Sequence, residues 1–111
     1  MIKKYRNFKT NLLSNGVLVI GFDTKDKPVN ILSSAVLEEF SFIVKMALLD
    51  EAIKAFVLVS LKHSSFIAGA DINEIRSMTD ENACLELVER VHELFDSMES
   101  SDKKFVAAIE G

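Results

Sequence analysis

A short apolar run between two amphipathic segments is the feature that most constrains the fold. Residues 56–61 read FVLVSL, which is typical of a strand buried on both faces of a parallel sheet. Apolar residues recur at helical spacing before this run, from Val36 to Leu48, and after it, from Cys84 to Met98. The pattern predicts an α/β fold in which helices connect parallel strands by right-handed crossovers.

The first part of the chain predicts a β-hairpin. Two strand-like runs, at residues 8–13 and 17–22, flank the pair Asn15-Gly16. Asn-Gly between two such runs favours a tight turn between antiparallel strands. The hairpin therefore precedes the first long helix.

Loop and capping residues separate the remaining elements. Residues 23–30 carry the only proline and are predicted to form a loop, after which Ser33 or Ser34 can cap the first helix. Thr79 can cap the second helix, and residues 105–109 begin another apolar strand, which we expect to be buried. The predicted order is β-β-α-β-α-β.

Composition and charge exclude several classes of function. The net charge of −4 gives no global attraction for nucleic acid or an anionic membrane, and no apolar run approaches the ~20 residues of a membrane span. The first residues lack an apolar segment behind their charges, so we do not expect them to form a signal peptide. The single cysteine, Cys84, is expected to be a small buried side chain and suits a reducing compartment. We therefore expect a cytoplasmic protein.

Residues 65–75, with the sequence SFIAGADINEI, form the segment with the clearest chemical potential. The small residues Ala68, Gly69 and Ala70 allow close approach to the backbone. Asp71 then starts a helical turn, whose first N–H groups lack intrahelical partners and can stabilise a developing oxyanion. A tight strand-to-helix turn capped by Asp71 explains the same spacing, so the spacing alone leaves both interpretations open.

The other polar residues form no recognisable catalytic or metal constellation. His63 lies in a polar loop and His92 on the flank of the second helix, and neither has a carboxylate or thiol at ligand spacing. No metal site is predicted. Glu74 is interpreted as an exposed helix residue.

Four motifs occur in the order of a known family. Residues 66–72 (FIAGADI), after the apolar strand, resemble a first oxyanion motif, and residues 15–20 (NGVLVI) resemble a first hairpin. Residues 27–32 (KPVNIL) resemble the segment before a first helix, and residues 104–111 (KFVAAIEG) resemble the strand that leads to a second oxyanion loop. Together they resemble the crotonase (enoyl-CoA hydratase/isomerase) superfamily. The similarity is greatest to the hydratase region of multifunctional fatty-acid oxidation complex alpha subunits.

The resemblance implies a fold and a function. Residues 1–111 would form a partial crotonase domain, the N-terminal part of a ββα spiral fold. The parent would be an enoyl-CoA hydratase of β-oxidation that binds acyl-CoA, with the N–H of Ala70 as its first oxyanion-hole donor. The residues implied in coenzyme A binding are Lys27, Val29, Ile31, Ala68, Ala70 and Ile72.

The resemblance also implies that parts of the machinery are missing. In the family, the second oxyanion donor and two acidic residues follow the glycine that corresponds to Gly111, so we expect a truncated unit that is inactive alone. The substrate would be a coenzyme A thioester, with NAD involved only if the parent has a dehydrogenase part. An uncovered C-terminal strand predicts a homo-oligomer formed through that strand or through helix 80–99.

A small regulatory module of the sulfate-transporter/anti-sigma-antagonist type is the alternative. Such domains have about this length, begin with a similar hairpin and place an Asp-Ser-Ser-Gly-like switch near the position of residues 70–73. No serine directly follows Asp71, which argues against a phosphoswitch. Binding of coenzyme A separates the two hypotheses, because only the first predicts it.

Overall fold

The computed structural model describes residues 2–63, 65–78 and 80–109. The strands in this part of the chain are β1 (Ile2–Lys4), β2 (Phe8–Leu12), β3 (Val17–Phe22), β4 (Ile31–Leu32), β5 (Ala55–Ser60), β6 (Gly69–Ala70) and β7 (Lys104–Ala108). The helices are α1 (Ser34–Leu49), α2 (Ile72–Ser77) and α3 (Glu81–Ser100). None of these helices is long and apolar enough to cross a membrane.

The main sheet has five strands in the order β1-β2-β3-β5-β7. The first three are antiparallel, whereas β3, β5 and β7 run parallel to one another. The hairpin predicted at Asn15-Gly16 joins β2 to β3, and Gly16 has a φ of +87°, which a side chain would disfavour. The predicted α/β class and the order of the long elements are confirmed, whereas the short strands β1 and β4 were missed.

The core lies between one face of the sheet and α1. Alternate residues of the strands point to this face, and Phe8 stacks on Phe22 with ring centroids 4.7 Å apart and on Phe40 of α1 at 5.6 Å. At the other end of the sheet, Phe56 stacks on Phe105 at 4.1 Å. The buried apolar residues are Phe8, Leu18, Ile20, Phe22, Val36, Phe40, Ile43, Val44, Ala47, Ile53, Phe56 and Leu94.

Several predictions of burial were wrong. In β5 Phe56 is buried, whereas the other five residues, on both faces of the strand, are half-buried. Cys84 is exposed, and in α3 only Leu94 is buried. In β7 the side chain of Val106 is 55% exposed. Apolar periodicity identifies the face that can be buried, but burial also requires a second surface to pack against it.

Of the two long helices, α1 begins at a predicted N-cap, whereas the N-cap of α3 is the residue after the predicted one. Ser33 caps α1 as predicted, since its Oγ accepts a hydrogen bond from the N–H of Val36 at 3.2 Å. Thr79, predicted to cap the second long helix, lies outside the described residues. The N-cap of α3 is Asp80, whose side chain accepts from the N–H of Asn82 at 2.9 Å.

The C-terminus of α1 is capped from a distant part of the chain. Its last turn contains no basic residue. The ammonium group of Lys103 instead donates to the carbonyl oxygens of Ala47, Leu48 and Asp50 at 2.8, 3.1 and 2.8 Å. A cation at this end of a helix compensates both the unpaired carbonyls and the negative end of the helix dipole. Lys103 therefore links the connection between α3 and β7 to α1.

We expect Lys103→Gln to lower the free energy of unfolding by ~1–2 kcal/mol, because the charge-assisted bonds at the end of α1 are lost. Urea denaturation measures this change. Lys104→Gln is the matched control, since Lys104 is exposed on β7, and we expect a change within ~0.5 kcal/mol. Equal losses in the two variants would contradict the capping role.

Candidate functional site

The turn at residues 66–71 is held against the segment that leads into α1. Strands β4 and β6 pair in parallel, with Ile31 opposite Gly69 and Leu32 opposite Ala70. The N–H of Ala68 donates to the carbonyl oxygen of Asn30 at 2.8 Å, and the N–H of Asp71 donates to that of Leu32 at 3.1 Å. These contacts bring together two segments that lie far apart in the sequence.

The buried side chain of Asn30 joins the ends of two parallel strands to this turn. Its Nδ2 donates to the carbonyl oxygens of Phe22 and Phe66 at 3.0 and 2.9 Å, and to the Oγ of Ser60 at 3.0 Å. Its Oδ1 accepts from the N–H of Thr24 at 2.9 Å. Two N–H bonds serve three acceptors, so one of them is shared. The amide thus fixes the end of β3, the end of β5 and the start of the turn relative to one another.

A second layer of polar contacts supports this amide. The Oγ1 of Thr24 accepts from the N–H of Ile31 at 3.1 Å. The ammonium group of Lys62, whose side chain is 12% exposed, donates to the carbonyl oxygen of Thr24 at 2.8 Å and pairs with Asp23 at 2.6 Å. The same residue's N–H donates to the Oγ of Ser60 at 3.0 Å. The loop after β3 is therefore fixed by side chains rather than by a regular ladder.

The backbone of the turn requires glycine for its conformation. Gly69 has a φ of +144°, and among the described residues beyond its two chain neighbours no atom lies within 4 Å of the position that a β-carbon would take. Backbone strain therefore limits a side chain at this position, whereas packing within the described chain does not. Ala70 is exposed.

Two acidic residues fix the start of α2. Asp71 is the N-cap, as predicted, since its Oδ1 accepts from the N–H groups of Asn73 and Glu74 at 3.0 and 3.2 Å. Glu74 was interpreted as an exposed helix residue, but it is half-buried. Its Oε1 accepts from the N–H of Ser34 at 2.9 Å, because the first N–H groups of α1 lack intrahelical partners.

The residues implied in coenzyme A binding fall into two groups. Ile31, Ala68 and Ala70 are brought together by the β4–β6 pair, and Ile72 follows with 63% of its surface exposed. The side chain of Lys27 is exposed in the loop after β3, and its backbone N–H donates to the carbonyl of Thr24 at 3.4 Å. Val29 is half-buried in the same loop.

Sequence reasoning missed the two polar residues that organise this region, Asn30 and Glu74. The available signal for Asn30 was its place in the segment KPVNIL, which was singled out for its resemblance but without a role for the amide. The two histidines, His63 and His92, are exposed. Within the described ranges, no group of three or more His, Cys, Asp or Glu side chains is arranged to hold a metal ion.

Comparison with known sequences identifies similar proteins over nearly the whole chain. The family model described as enoyl-CoA hydratase/isomerase matches residues 13–111. The fatty acid oxidation complex subunit alpha of Acinetobacter baumannii (strain AYE) is 34% identical over 113 residues, which cover 100% of this chain and 16% of that protein. The protein of the same name from Shewanella loihica is 32% identical over 106 residues, covering 96% of this chain and 15% of that protein. The chain thus spans a small part of these relatives.

Solved structures share the fold. A structure of an enoyl-CoA hydratase from Shewanella pealeana superposes with a TM-score of 0.84 at 20% identity, covering 95% of this chain and 39% of that chain. One from Bacillus anthracis gives a TM-score of 0.81 at 25% identity, covering 95% and 40%. These similarities confirm the fold class expected from the sequence.

We expect Asn30→Ala to destabilise the protein by on the order of 3 kcal/mol, because each buried polar group left without a partner costs ~1–3 kcal/mol. Denaturant unfolding measures the loss. Asn73→Ala is the matched control, because Asn73 is exposed on α2, and it should leave the free energy of unfolding nearly unchanged. If the two substitutions had the same effect, Asn30 would not be the residue that holds the turn.

Proposed function

Because the chain belongs to the enoyl-CoA hydratase/isomerase family, we propose that it supplies the first part of an acyl-CoA site in a hydratase of fatty-acid β-oxidation. The observation that carries this proposal is the structure of the turn at residues 66–71. It is exposed at Ala68 and Ala70, yet its backbone is fixed by hydrogen bonds to Asn30 and Leu32. A fixed and accessible backbone N–H is what stabilisation of an oxyanion requires.

In the proposed mechanism, Ala70 acts through its backbone. Its N–H would donate to the thioester carbonyl of an acyl-CoA and stabilise the enolate that forms there. Such a donor is effective when it is positioned in advance, because no reorganisation is then needed as charge develops. The exposure of Ala70, between the bonded N–H groups of Ala68 and Asp71, supports the role.

We propose that the nucleotide part of coenzyme A binds in the same region, beside the β4–β6 pair. Main-chain groups of Ala68, Ala70 and Ile72 would contact the adenine, and Val29 and Ile31 would line the nucleotide side. The exposed ammonium group of Lys27 would pair with a phosphate. The pairing of β4 with β6, which puts Ile31 beside Gly69, supports a single site.

The remaining machinery of the parent is proposed to come from residues outside these 111. It comprises a second oxyanion donor and the carboxylates that act as general acid and base. NAD would be used only by a dehydrogenase part of the parent. The cytoplasmic location stays a prediction. The relatives give no support to the regulatory-module alternative.

Purified and free of host hydratase, the 111-residue chain should not hydrate crotonyl-CoA above background. Absence of one oxyanion donor typically lowers the catalytic rate by a factor of ~10²–10³. Absence of positioned acid and base groups lowers it by a further factor of ~10²–10⁴. The loss of absorbance of the enoyl thioester measures the reaction. Turnover that disappears in Asp71→Asn or Glu74→Gln would mean that residues assigned here to structure perform the chemistry.

Coenzyme A itself should bind weakly, and Gly69→Ala should weaken this binding more than it lowers helicity. Forcing a side chain into this backbone conformation costs ~1–3 kcal/mol and shifts the turn. Calorimetric titration with coenzyme A and far-UV circular dichroism measure the two effects. Equal losses of binding and helicity would show that Gly69 is structural only, and no binding by the unaltered chain would contradict the proposed site.

We also propose self-association through β7 or α3. Strand β7 lies at the edge of the described sheet, and its backbone can pair with another chain. Val106 on β7 and Phe95 on α3 are 55% and 48% exposed, so each element offers an apolar surface.

Sedimentation at high micromolar concentration should therefore detect species larger than the monomer. Val106→Lys should reduce them if β7 is the contact, and Phe95→Lys should do so if α3 is. Each variant serves as the control for the other, because both add one charge at an exposed position. A strictly monomeric unaltered protein would contradict the proposal.

A further inference from the structure

Apolar packing does not explain how α2 is held in place. The helix has six residues and none of them is buried. Its two isoleucines, Ile72 and Ile75, are 63% and 55% exposed. The orientation of α2, and of the turn directly before it, therefore depends on polar contacts.

Glu74 makes a polar contact between α2 and the start of α1. Its Oε1 accepts from the N–H of Ser34 at 2.9 Å, across forty residues of sequence. Ser34 is the first residue of α1, so its N–H has no partner within the helix. The carboxylate also lies at the positive end of a 16-residue helix, where the helix dipole favours negative charge.

The carboxylate of Glu74 does not accept a hydrogen bond within its own helix turn, although the sequence spacing would allow one. Asp71 and Glu74 have the spacing of a capping box, in which the later residue would accept from the backbone N–H of the N-cap. That N–H donates instead to the carbonyl oxygen of Leu32 at 3.1 Å. Glu74 is thereby free to join two helices rather than to cap its own.

We propose that Glu74 is a positioning residue, which sets the direction of the Ala70 N–H by clamping α2 to the start of α1. Two further observations favour such a clamp. The β4–β6 ladder has only two residue pairs in the described chain, and Gly69 permits backbone conformations closed to other residues. The proposal rests on the proposed function in one respect: that coenzyme A contacts this turn.

The test compares Glu74→Ala, which removes the acceptor, with Glu74→Gln, which keeps it without the charge. Glu86→Ala is the matched control, because Glu86 is exposed on α3. Amide hydrogen exchange measures protection at Ser34, Ala68 and Asp71, titration measures affinity for coenzyme A, and urea denaturation measures global stability.

In Glu74→Ala we expect exchange at all three amides to accelerate roughly tenfold and affinity for coenzyme A to fall by a similar factor, as for loss of one charge-assisted bond. The urea midpoint should change little, since α2 buries no residue. Glu74→Gln should restore most of the protection and affinity, and Glu86→Ala should match the unaltered chain.

Unchanged exchange at Ala68 and Asp71 in Glu74→Ala would overturn the inference, as would faster exchange explained by an equal loss of global stability. Faster local exchange with unchanged affinity for coenzyme A would also overturn it. If the unaltered chain binds no coenzyme A, the proposed function fails, and hydrogen exchange alone decides whether Glu74 fixes the turn.

Discussion

The structure around the candidate site depends on one buried amide. Strands β3 and β5 end side by side, and the chain leaves both of them as irregular backbone with polar groups beyond the last residue pair of the ladder. Asn30 satisfies them from a single side chain, accepting from Thr24 and donating to Phe22, Ser60 and Phe66. Buried polar groups without partners are costly, so the amide lowers the cost of bringing these loops together at this edge of the sheet.

The site therefore consists of loops that are held by polar contacts and that rest on an apolar core. The sheet and α1 form the base, with Phe8, Phe22 and Phe40 stacked between them. Above it, backbone pairing with β4 and the carboxylate of Glu74 hold the turn. This arrangement keeps the backbone of Ala70 accessible without leaving it free to reorient, which suits a group proposed to meet developing charge.

Local patterns in the sequence predicted local structure well. The Asn15-Gly16 turn, the cap at Ser33 and the cap at Asp71 each follow from one or two residues and their immediate neighbours. Burial was predicted less well. Cys84 and Val106 belong to apolar patterns that usually accompany burial, yet both are exposed. The spacing of side chains within an element carries no information on whether another element covers that element.

The sequence by itself determined the alternation of strands and helices, the turn at residues 66–71 and the family resemblance of its motifs. All three depend on residues that are close to one another in the chain. Only the tertiary structure decided that Asn30 lies at the junction of three segments, that Glu74 reaches α1 and that Lys103 caps its other end. The contacts of Asn30 with Phe66, of Glu74 with Ser34 and of Lys103 with Ala47 each join residues more than thirty positions apart. Their energies come from satisfying backbone groups that become unpaired only when the chain has folded.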